Sequence, residues 1–293
     1  MARRPRASVR DLSYAGSAPT WGGRLLIRCL ENATGRLGLI RRAAGYERDV
    51  ADGAPFFDIM VRRFGLSLDV QRGTLDLIPR QGPVIVVSNH PFGILDGMMM
   101  GHLLTKTRGD FRILANSVFN RSEDLNAMLL PISFDTTKRA LALNLETRRA
   151  ALDHLALGGV IGVFPGGTVS TGVTAGKPPM DPRWRSFTAR MIAKSDAVVV
   201  PVFFHGQNSR VFQRASHLHA NLRLGLLIRE FSARVDSSVT MSVGAPIGRD
   251  ILDPLAKDGT ALMDFLRKTT YALSPDADPC FDLGYDYETL QSV

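Results

Sequence analysis

Residues 84–96 read VIVVSNHPFGILD and decide the organisation of the chain. The β-branched run 84–87 lies between Gly82-Pro83 and a polar segment, which predicts a buried strand. The apolar residues that follow Asp96 predict a helix. His90 therefore lies where a strand ends and Asp96 in the first turn of the next helix, at the end of an open α/β sheet where ligands gather.

The spacing of His90 and Asp96 excludes a single regular helix between them. Positions six apart fall about 240° around a helix, and Pro91 and Gly93 interrupt one. A bent loop can return Asp96 to the imidazole. A carboxylate on one ring nitrogen leaves the other free to accept a proton from a hydroxyl. A second interpretation stays open, in which His90 is a surface residue and Asp96 a charge at a helix N-terminus.

The composition sets wide limits on function. The 293 residues have 45% apolar side chains and a net charge of +8, which suit one large α/β domain or two small ones. The charge is compatible with nucleic acid, an anionic lipid surface or a phosphorylated substrate, or with a plain solvated surface. We rank nucleic acid last because the basic residues are dispersed. Cys29 and Cys280 form no metal motif or disulfide framework, which favours a reducing compartment.

No stretch of the sequence is apolar over the roughly 18 residues that a membrane-spanning helix needs. The arginine-rich start lacks the apolar segment of a signal peptide. If the protein acts on lipid, we expect it to lie on the membrane. The helix predicted over 21–45 has an apolar face edged with arginines. It fits an interfacial helix or, as we favour, a surface helix packed on a core.

Strands and helices alternate along the rest of the chain. We predict an α/β fold with a mostly parallel central sheet, helices on both faces and an N-terminal helical segment. We expect one domain over 20–273, preceded by a basic flexible arm at 1–19 and followed by an acidic tail at 274–293. Pro201 lies within the predicted strand 197–204, and we expect it at a strand end or bulge.

Polar groups follow three of the predicted strands. His90 and Asp96 follow the first, and the turn Gly166-Gly167-Thr168 follows strand 160–164, where backbone N–H groups can hold an anion or oxyanion. His205 and Arg210 follow strand 197–204. Because parallel strands end at one edge of a sheet, we expect the three groups to converge.

Three blocks occur in a fixed order: NHPFGILDG at 89–97, FPGGTVS at 164–170 and VPVFFHG at 200–206. This series resembles the glycerolipid acyltransferase superfamily, which includes lysophosphatidate acyltransferases. It is most similar to the hemolysin-like branch that contains lyso-ornithine lipid acyltransferases. The resemblance covers residues 60 to 250.

The resemblance implies a glycerol-3-phosphate acyltransferase-like fold and a fatty acyl transfer to the hydroxyl of a lysolipid. The donor is a thioester of acyl carrier protein or coenzyme A, with no further cofactor, no metal and no nucleic-acid partner. The family acts as a peripheral protein on an anionic membrane, here expected at the cytoplasmic face. His90 matches the family's base and Asp96 its partner. The expected substrate-binding residues are Asn89, Phe164, Pro165, Gly166, Gly167, Thr168, His205 and Arg210.

Two positions depart from the family pattern. Five residues separate His90 and Asp96, as in the hemolysin-like branch, whereas the usual spacing in the family is four. Gly166 and Val169 stand where the family has Glu and Arg, and that Arg is linked to the acceptor phosphate. The change favours a lysolipid other than a phosphate-headed one. Candidates to replace the missing charge are Lys177, Arg183, Arg185 or Arg210, each of which is also compatible with a plain surface cation. The alternatives are a non-catalytic lipid-binding protein on this fold or a lysophosphatidate acyltransferase proper.

Overall fold

The computed structural model describes residues 13–116, 125, 127–133, 137–276 and 279–287. Within them one sheet contains β1 (Ser67–Arg72), β2 (Val84–Ser88), β3 (Phe111–Asn116), β4 (Leu129–Ile132), β5 (Val160–Val163), β6 (Val198–Phe204) and β7 (Ser238–Val243). The strand order is β1-β7-β6-β2-β5-β3-β4. Only β6 and β7 pair antiparallel among these neighbours. The predicted mostly parallel sheet is confirmed.

The described α-helices are α1 (Trp21–Ala33), α2 (Arg36–Ala43), α3 (Tyr46–Ala51), α4 (Phe56–Arg63), α5 (Ile94–Thr107), α6 (Lys138–Ala156), α7 (Ser186–Ile192), α8 (Arg210–Leu218), α9 (Ala220–Ser232), α10 (Arg249–Leu255) and α11 (Gly259–Tyr271). The single helix predicted over 21–45 is wrong in one respect. Gly35, at a φ of 125°, separates α1 from α2. No helix among the described residues is long and apolar enough to cross a bilayer.

Strand β2 is buried on both faces, as its apolar run predicts. Val84 and Val86 belong to one apolar core, and Ile85 and Val87 to the other. The first core is closed by residues of α1, α4, α5 and α9, and the second by residues of α6, α7 and α11. The sheet therefore has helices on both faces, and only its strand ends are left to form a site.

Pro201 lies inside β6 and pairs with Val87, so its expected place at a strand end or bulge is wrong. The edge of β6 that faces away from β2 explains why proline is tolerated at this position. That edge bridges Ile247 at Val199 and pairs with β7 only from Val202 onward. Pro201 falls between these two partners, where its carbonyl accepts the N–H of Gly244 at 2.8 Å and no donor is required.

Both predicted terminal segments contain packed residues. Residues 1–12 lie outside the described residues, but Ser13 Oγ and Tyr14 N donate to the buried carboxylate of Glu31 at 2.5 and 2.6 Å. The described part of the arm is thus folded onto α1 rather than free. In the tail, the carbonyls of Phe281 and Asp282 accept from buried Arg267. The stretch 279–287 therefore belongs to the packed structure.

Candidate active site

The loop after β2 brings His90 and Asp96 together. Asp96 Oδ2 accepts the N–H groups of Phe92 at 2.7 Å and Gly93 at 2.9 Å, which turns the loop back on itself. Gly93 has a φ of 91°, a conformation that favours glycine. As a result His90 Nδ1 lies 2.9 Å from Asp96 Oδ2. This is the bent loop that the spacing of the two residues requires.

The histidine ring is held from two sides. Asp96 is fully buried, whereas 18% of the His90 side chain is exposed. The ring stacks on Phe164 at 4.3 Å between centroids. The Nδ1 contact lacks the alignment of a hydrogen bond, and Asp96 Oδ1 has no hydrogen-bond partner among the described residues. Because Nδ1 is buried, the exposed part of the ring is the part that carries Nε2.

Asn89 connects two strand ends. Its amide donates to the carbonyl of Phe204 at 2.9 Å and accepts the N–H of the same residue at 2.7 Å. The side chain is buried and both of its polar atoms are engaged by the backbone. Asn89 thus holds the exits of β2 and β6 side by side, and its predicted contact with substrate stays a prediction.

The glycine-rich loop after β5 lies against the histidine loop. Ser170 N donates to the carbonyl of His90 at 2.8 Å, and Gly167 has a φ of 72°. Phe164 and Pro165 are buried at the start of the loop. A Cβ on Gly166 would lie 3.2 Å from Oδ2 of Asp181, so a carboxylate from another segment fills the space beside this glycine.

Asp181 is a site residue that the sequence did not point to, since it lies in no recognisable motif. Its Oδ1 accepts the N–H of His90 at 3.2 Å and the hydroxyl of Ser170, and its Oδ2 accepts Trp184 Nε1–H at 2.8 Å. Burial raises the pKa of Asp181, and these hydrogen bonds act in the opposite direction. One buried carboxyl group therefore joins the histidine loop to the glycine-rich loop.

Replacing Asp181 by asparagine is expected to remove a pH dependence of stability. The raised pKa means that the folded protein keeps a proton which the unfolded chain releases. This stabilisation is complete below the ordinary carboxyl pKa of 3.8 and is lost as pH rises through the raised value. The unfolding free energy of wild type minus that of D181N should fall with rising pH in urea titrations. A difference that grows with pH would contradict this assignment.

Arg223 of α9 stabilises the glycine-rich loop by hydrogen bonds. Its Nη2 donates to Thr168 Oγ1 at 3.1 Å and to the carbonyl of Val169 at 2.7 Å, and its Nη1 donates to Thr171 Oγ1 at 2.7 Å. The buried guanidinium also lies over the ring of Tyr287, 4.8 Å from its centroid. Since these donors are used within the protein, Arg223 supports the loop. The sequence candidates for a cation here, 177, 183, 185 and 210, did not include it.

A cavity of about 550 Å³ opens beside the glycine-rich loop. Phe164, whose ring stacks on His90, forms part of its wall together with Pro165 and Gly167. Its basic residues are Arg183, Arg185 and Arg190. Arg185 pairs with Asp286 at 3.2 Å, so the cavity wall keeps an excess of positive charge.

The third predicted group is only partly brought to the site. His205 Nε2 lies 2.8 Å from Ser242 Oγ, and burial lowers the pKa of His205. His205 lines a second, smaller pocket that also includes Phe92 of the histidine loop. Arg210 is exposed at the start of α8 and lines neither pocket. The two loops after β2 and β5 therefore form the centre of the site, with His205 at one side.

Comparisons with known proteins find one matching family and several similar chains. A family described as acyltransferase matches residues 51–278. Two relatives named lyso-glycine lipid O-acyltransferase are similar: that of Phocaeicola vulgatus is 26% identical over 216 residues, 71% of this chain and 74% of the relative. That of Bacteroides thetaiotaomicron is 27% identical over 222 residues, which are 71% of this chain and 76% of the relative. The solved 1-acyl-sn-glycerophosphate acyltransferase of Thermotoga maritima aligns with a TM-score of 0.38 at 15% identity, over 82% of this chain and 96% of that one.

Proposed function

The chain belongs to the acyltransferase family, and from that premise we propose that it moves a fatty acyl group from a thioester donor to the hydroxyl of a lysolipid. The observation that carries the proposal is the contact of His90 with Asp96 at 2.9 Å, at the carboxyl end of a central strand. A base oriented by a carboxylate, with its second nitrogen towards solvent, suits the deprotonation of an alcohol.

In the proposed reaction His90 Nε2 takes the proton of the lipid hydroxyl while its oxygen attacks the thioester carbonyl. The new carbon–oxygen bond forms, the carbon–sulfur bond breaks, and the leaving thiolate takes the proton from His90. The backbone N–H group of Gly166 is our candidate for holding the carbonyl oxygen as charge develops on it, because the N–H of Gly167 already donates to the carbonyl of Phe164 at 3.0 Å. No covalent acyl-enzyme is required, and the thiols Cys29 and Cys280 have no role in this scheme.

We assign the arginine-lined cavity to the thioester donor. Acyl carrier protein and coenzyme A both present the thioester on a phosphopantetheine arm, so either donor brings a phosphate with it. Arg183, Arg185 and Arg190 offer the planar donors that suit phosphate oxygens. Because Phe164 both lines this cavity and stacks on the His90 ring, a thioester at the Phe164 end of the cavity would be close to the base.

For the acceptor we favour a lysolipid with an amino-acid headgroup. Val169 stands where the family arginine contacts a phosphate, and Arg223 behind it is engaged by the protein. The relatives named lyso-glycine lipid O-acyltransferase support the same class, and a lyso-ornithine lipid belongs to it too. A lysophosphatidate remains the alternative acceptor, which the assay described below includes.

Helices α1 and α2 supply a surface suited to an anionic membrane. Trp21 is 78% exposed and Leu25, one turn further, 48% exposed, while Leu37 on α2 is 51% exposed. Arg24 and Arg28 lie on the same helix as the first two. Exposed tryptophan and leucine beside arginines favour the headgroup region of a bilayer. We therefore propose peripheral binding through this surface, at the cytoplasmic face.

Replacing Trp21 and Leu25 together by serine is expected to weaken binding to anionic vesicles about 10²- to 10⁴-fold, since each buried side chain contributes roughly 1.5–3 kcal/mol. Sedimentation with phosphatidylglycerol vesicles measures the effect. The matched control replaces Leu141 and Leu145 on α6, which are also one turn apart and 62% and 50% exposed. Helix α6 packs on the opposite face of the sheet. Equal weakening by both pairs would argue against a specific membrane surface.

The proposed function is tested with purified protein, an acyl thioester and a lysolipid. We expect release of free thiol in step with formation of the diacylated product. Acyl carrier protein and coenzyme A donors are compared in parallel, each with an amino-acid lysolipid and with lysophosphatidate. Binding of lysolipid vesicles without thiol release from either donor would instead favour a non-catalytic lipid-binding protein.

A further inference from the structure

Arg234 is a half-buried arginine with an unusual position beside the histidine loop. It follows α9 on the way to β7, and its guanidinium carbon lies 3.8 Å from the ring centroid of Phe92. Its Nη2 donates to the carbonyl of Gln207 at 2.7 Å. Within the described residues it forms no ion pair with a carboxylate. A desolvated cation without a carboxylate partner is a frequent mark of an anion-binding site.

The carboxylates that act on Arg234 already have other partners. The field of Asp96 and that of Glu230 oppose the lowering of its pKa by burial. Oδ2 of Asp96 faces His90 and accepts two backbone N–H groups, and its Oδ1, which has no hydrogen-bond partner among the described residues, forms no ion pair with Arg234. Glu230 accepts from Ser209 N and Oγ and pairs with Arg229 at 3.0 Å. The charge of Arg234 is therefore left for a ligand.

Arg234 lines a pocket of about 260 Å³. The other lining residues are Phe92, His205, Gly206, Ser238, Val239 and Thr240. Gly206 has a φ of 97°, and a Cβ there would lie 3.1 Å from the ring of Phe92, so the pocket depends on glycine at this position. At its rim Thr240 Oγ1 donates to Asp69 at 3.4 Å, which gives that carboxylate a partner of its own.

We propose that this pocket holds the carboxylate headgroup of the acceptor lipid, with Arg234 as its counter-ion. The assignment rests on the proposed function and names the acceptor class of that site. The pocket is too small for an acyl chain, because whole-ligand pockets measure roughly 300–1,000 Å³. A single arginine fork matches a singly charged carboxylate, whereas the cavity assigned to the donor phosphate has three arginines.

The position of the pocket allows the headgroup and the hydroxyl of one acceptor lipid to be bound at the same time. Phe92 forms its wall and is two residues from His90. The N–H of Phe92 also donates to Asp96, so the stacked Arg234, the phenyl ring and the catalytic pair belong to one connected unit. An acceptor anchored by its carboxylate at Arg234 would reach His90 along Phe92. The donor cavity lies on the Phe164 side.

The test compares three acceptors of equal chain length: a 3-hydroxyacyl glycine, its uncharged glycinamide analogue, and a lysophosphatidate. In the Arg234→Gln variant we expect KM for the carboxylate acceptor to rise about 10- to 100-fold, since charge-assisted hydrogen bonds are lost. KM and kcat for the glycinamide analogue should stay within about twofold of wild type. Arg234→Lys, which keeps the charge but not the fork, should retain part of the affinity.

The control variant Arg214→Gln removes an exposed arginine of α8 and should leave all three acceptors unchanged. Equal losses on the carboxylate and glycinamide acceptors would overturn the proposal, because Arg234 would then act on the loop alone. An equal loss on lysophosphatidate would overturn the preference for a carboxylate.

Failure of the proposed function has a different signature. If wild type acylates none of the acceptors, the pocket is tested by equilibrium binding of the 3-hydroxyacyl glycine and its glycinamide analogue. Tighter binding of the carboxylate, lost in Arg234→Gln, would support the pocket without catalysis. Equal binding of both analogues by wild type would overturn it.

Discussion

Replacing His90 by alanine is expected to lower kcat/KM for acyl transfer by about 10²- to 10⁴-fold, the usual contribution of a positioned general base. The ring has one nitrogen towards solvent and a carboxylate beside the other nitrogen. Its removal leaves the cavity, the glycine-rich loop and Asp96 in place. We therefore expect the loss in kcat rather than in donor affinity, measured by thiol release under saturating donor.

The chain provides a matched control for this variant. His102 of α5 also contacts a carboxylate, with Nδ1 2.7 Å from Oδ1 of Asp58, but lines neither pocket. His102→Ala removes the same chemical group from another histidine–aspartate pair and should keep its activity. If both variants turn over normally, His90 is not the base. If both fail, the loss reflects damage to the fold.

Replacing Arg267 by methionine is expected to lower the free energy of unfolding by about 3–5 kcal/mol. The buried guanidinium donates to the carbonyls of Phe281 at 2.8 Å and Asp181 at 3.0 Å, and to that of Asp282. Methionine fills similar space but leaves these carbonyls without the donor. Urea unfolding measures the change, and limited proteolysis should cut the stretch 279–287 more readily.

The control for this variant is the next residue on the same helix. Lys268 is half exposed and pairs with Asp264 at 2.7 Å in i, i+4 spacing. Such surface pairs contribute little, so Lys268→Met should change stability by less than about 0.5 kcal/mol. An Arg267→Met protein that unfolds at the wild-type midpoint would show that water replaces the guanidinium at little cost.

The sequence could predict the elements whose residues repeat with a clear period. The apolar run of β2 fits a strand in a sheet that helices cover on both faces. The histidine, proline and glycine after it interrupt regular structure and produce a turn. The convergence of the loops after β2 and β5 follows from parallel pairing alone. The contact of His90 with Asp96 was foreseeable for the same reason, since the turn leaves few other places for the carboxylate.

The groups that complete the site could not be predicted because they come from segments without a repeating pattern. Asp181 lies between motifs, and only the folded chain shows its carboxyl group beside Gly166, bonded to the His90 backbone. Arg223 and Arg234 come from α9 and the residues after it, a region where the pattern did not predict a helix. Their roles depend on which side chains pack around them, and a single sequence does not encode that locally.

Among the described strands β1 pairs with β7 alone, and Asp69 and Thr240, which pair across these two strands, are 171 residues apart. A ribosome that adds about 5–20 residues per second needs roughly 10 to 35 seconds to make the intervening chain. During that interval β1 has no partner strand, and the charged side chains of Asp69 and Arg72 are what discourage it from pairing with a neighbouring nascent chain. Completion of this sheet is thus an event that follows synthesis of β7.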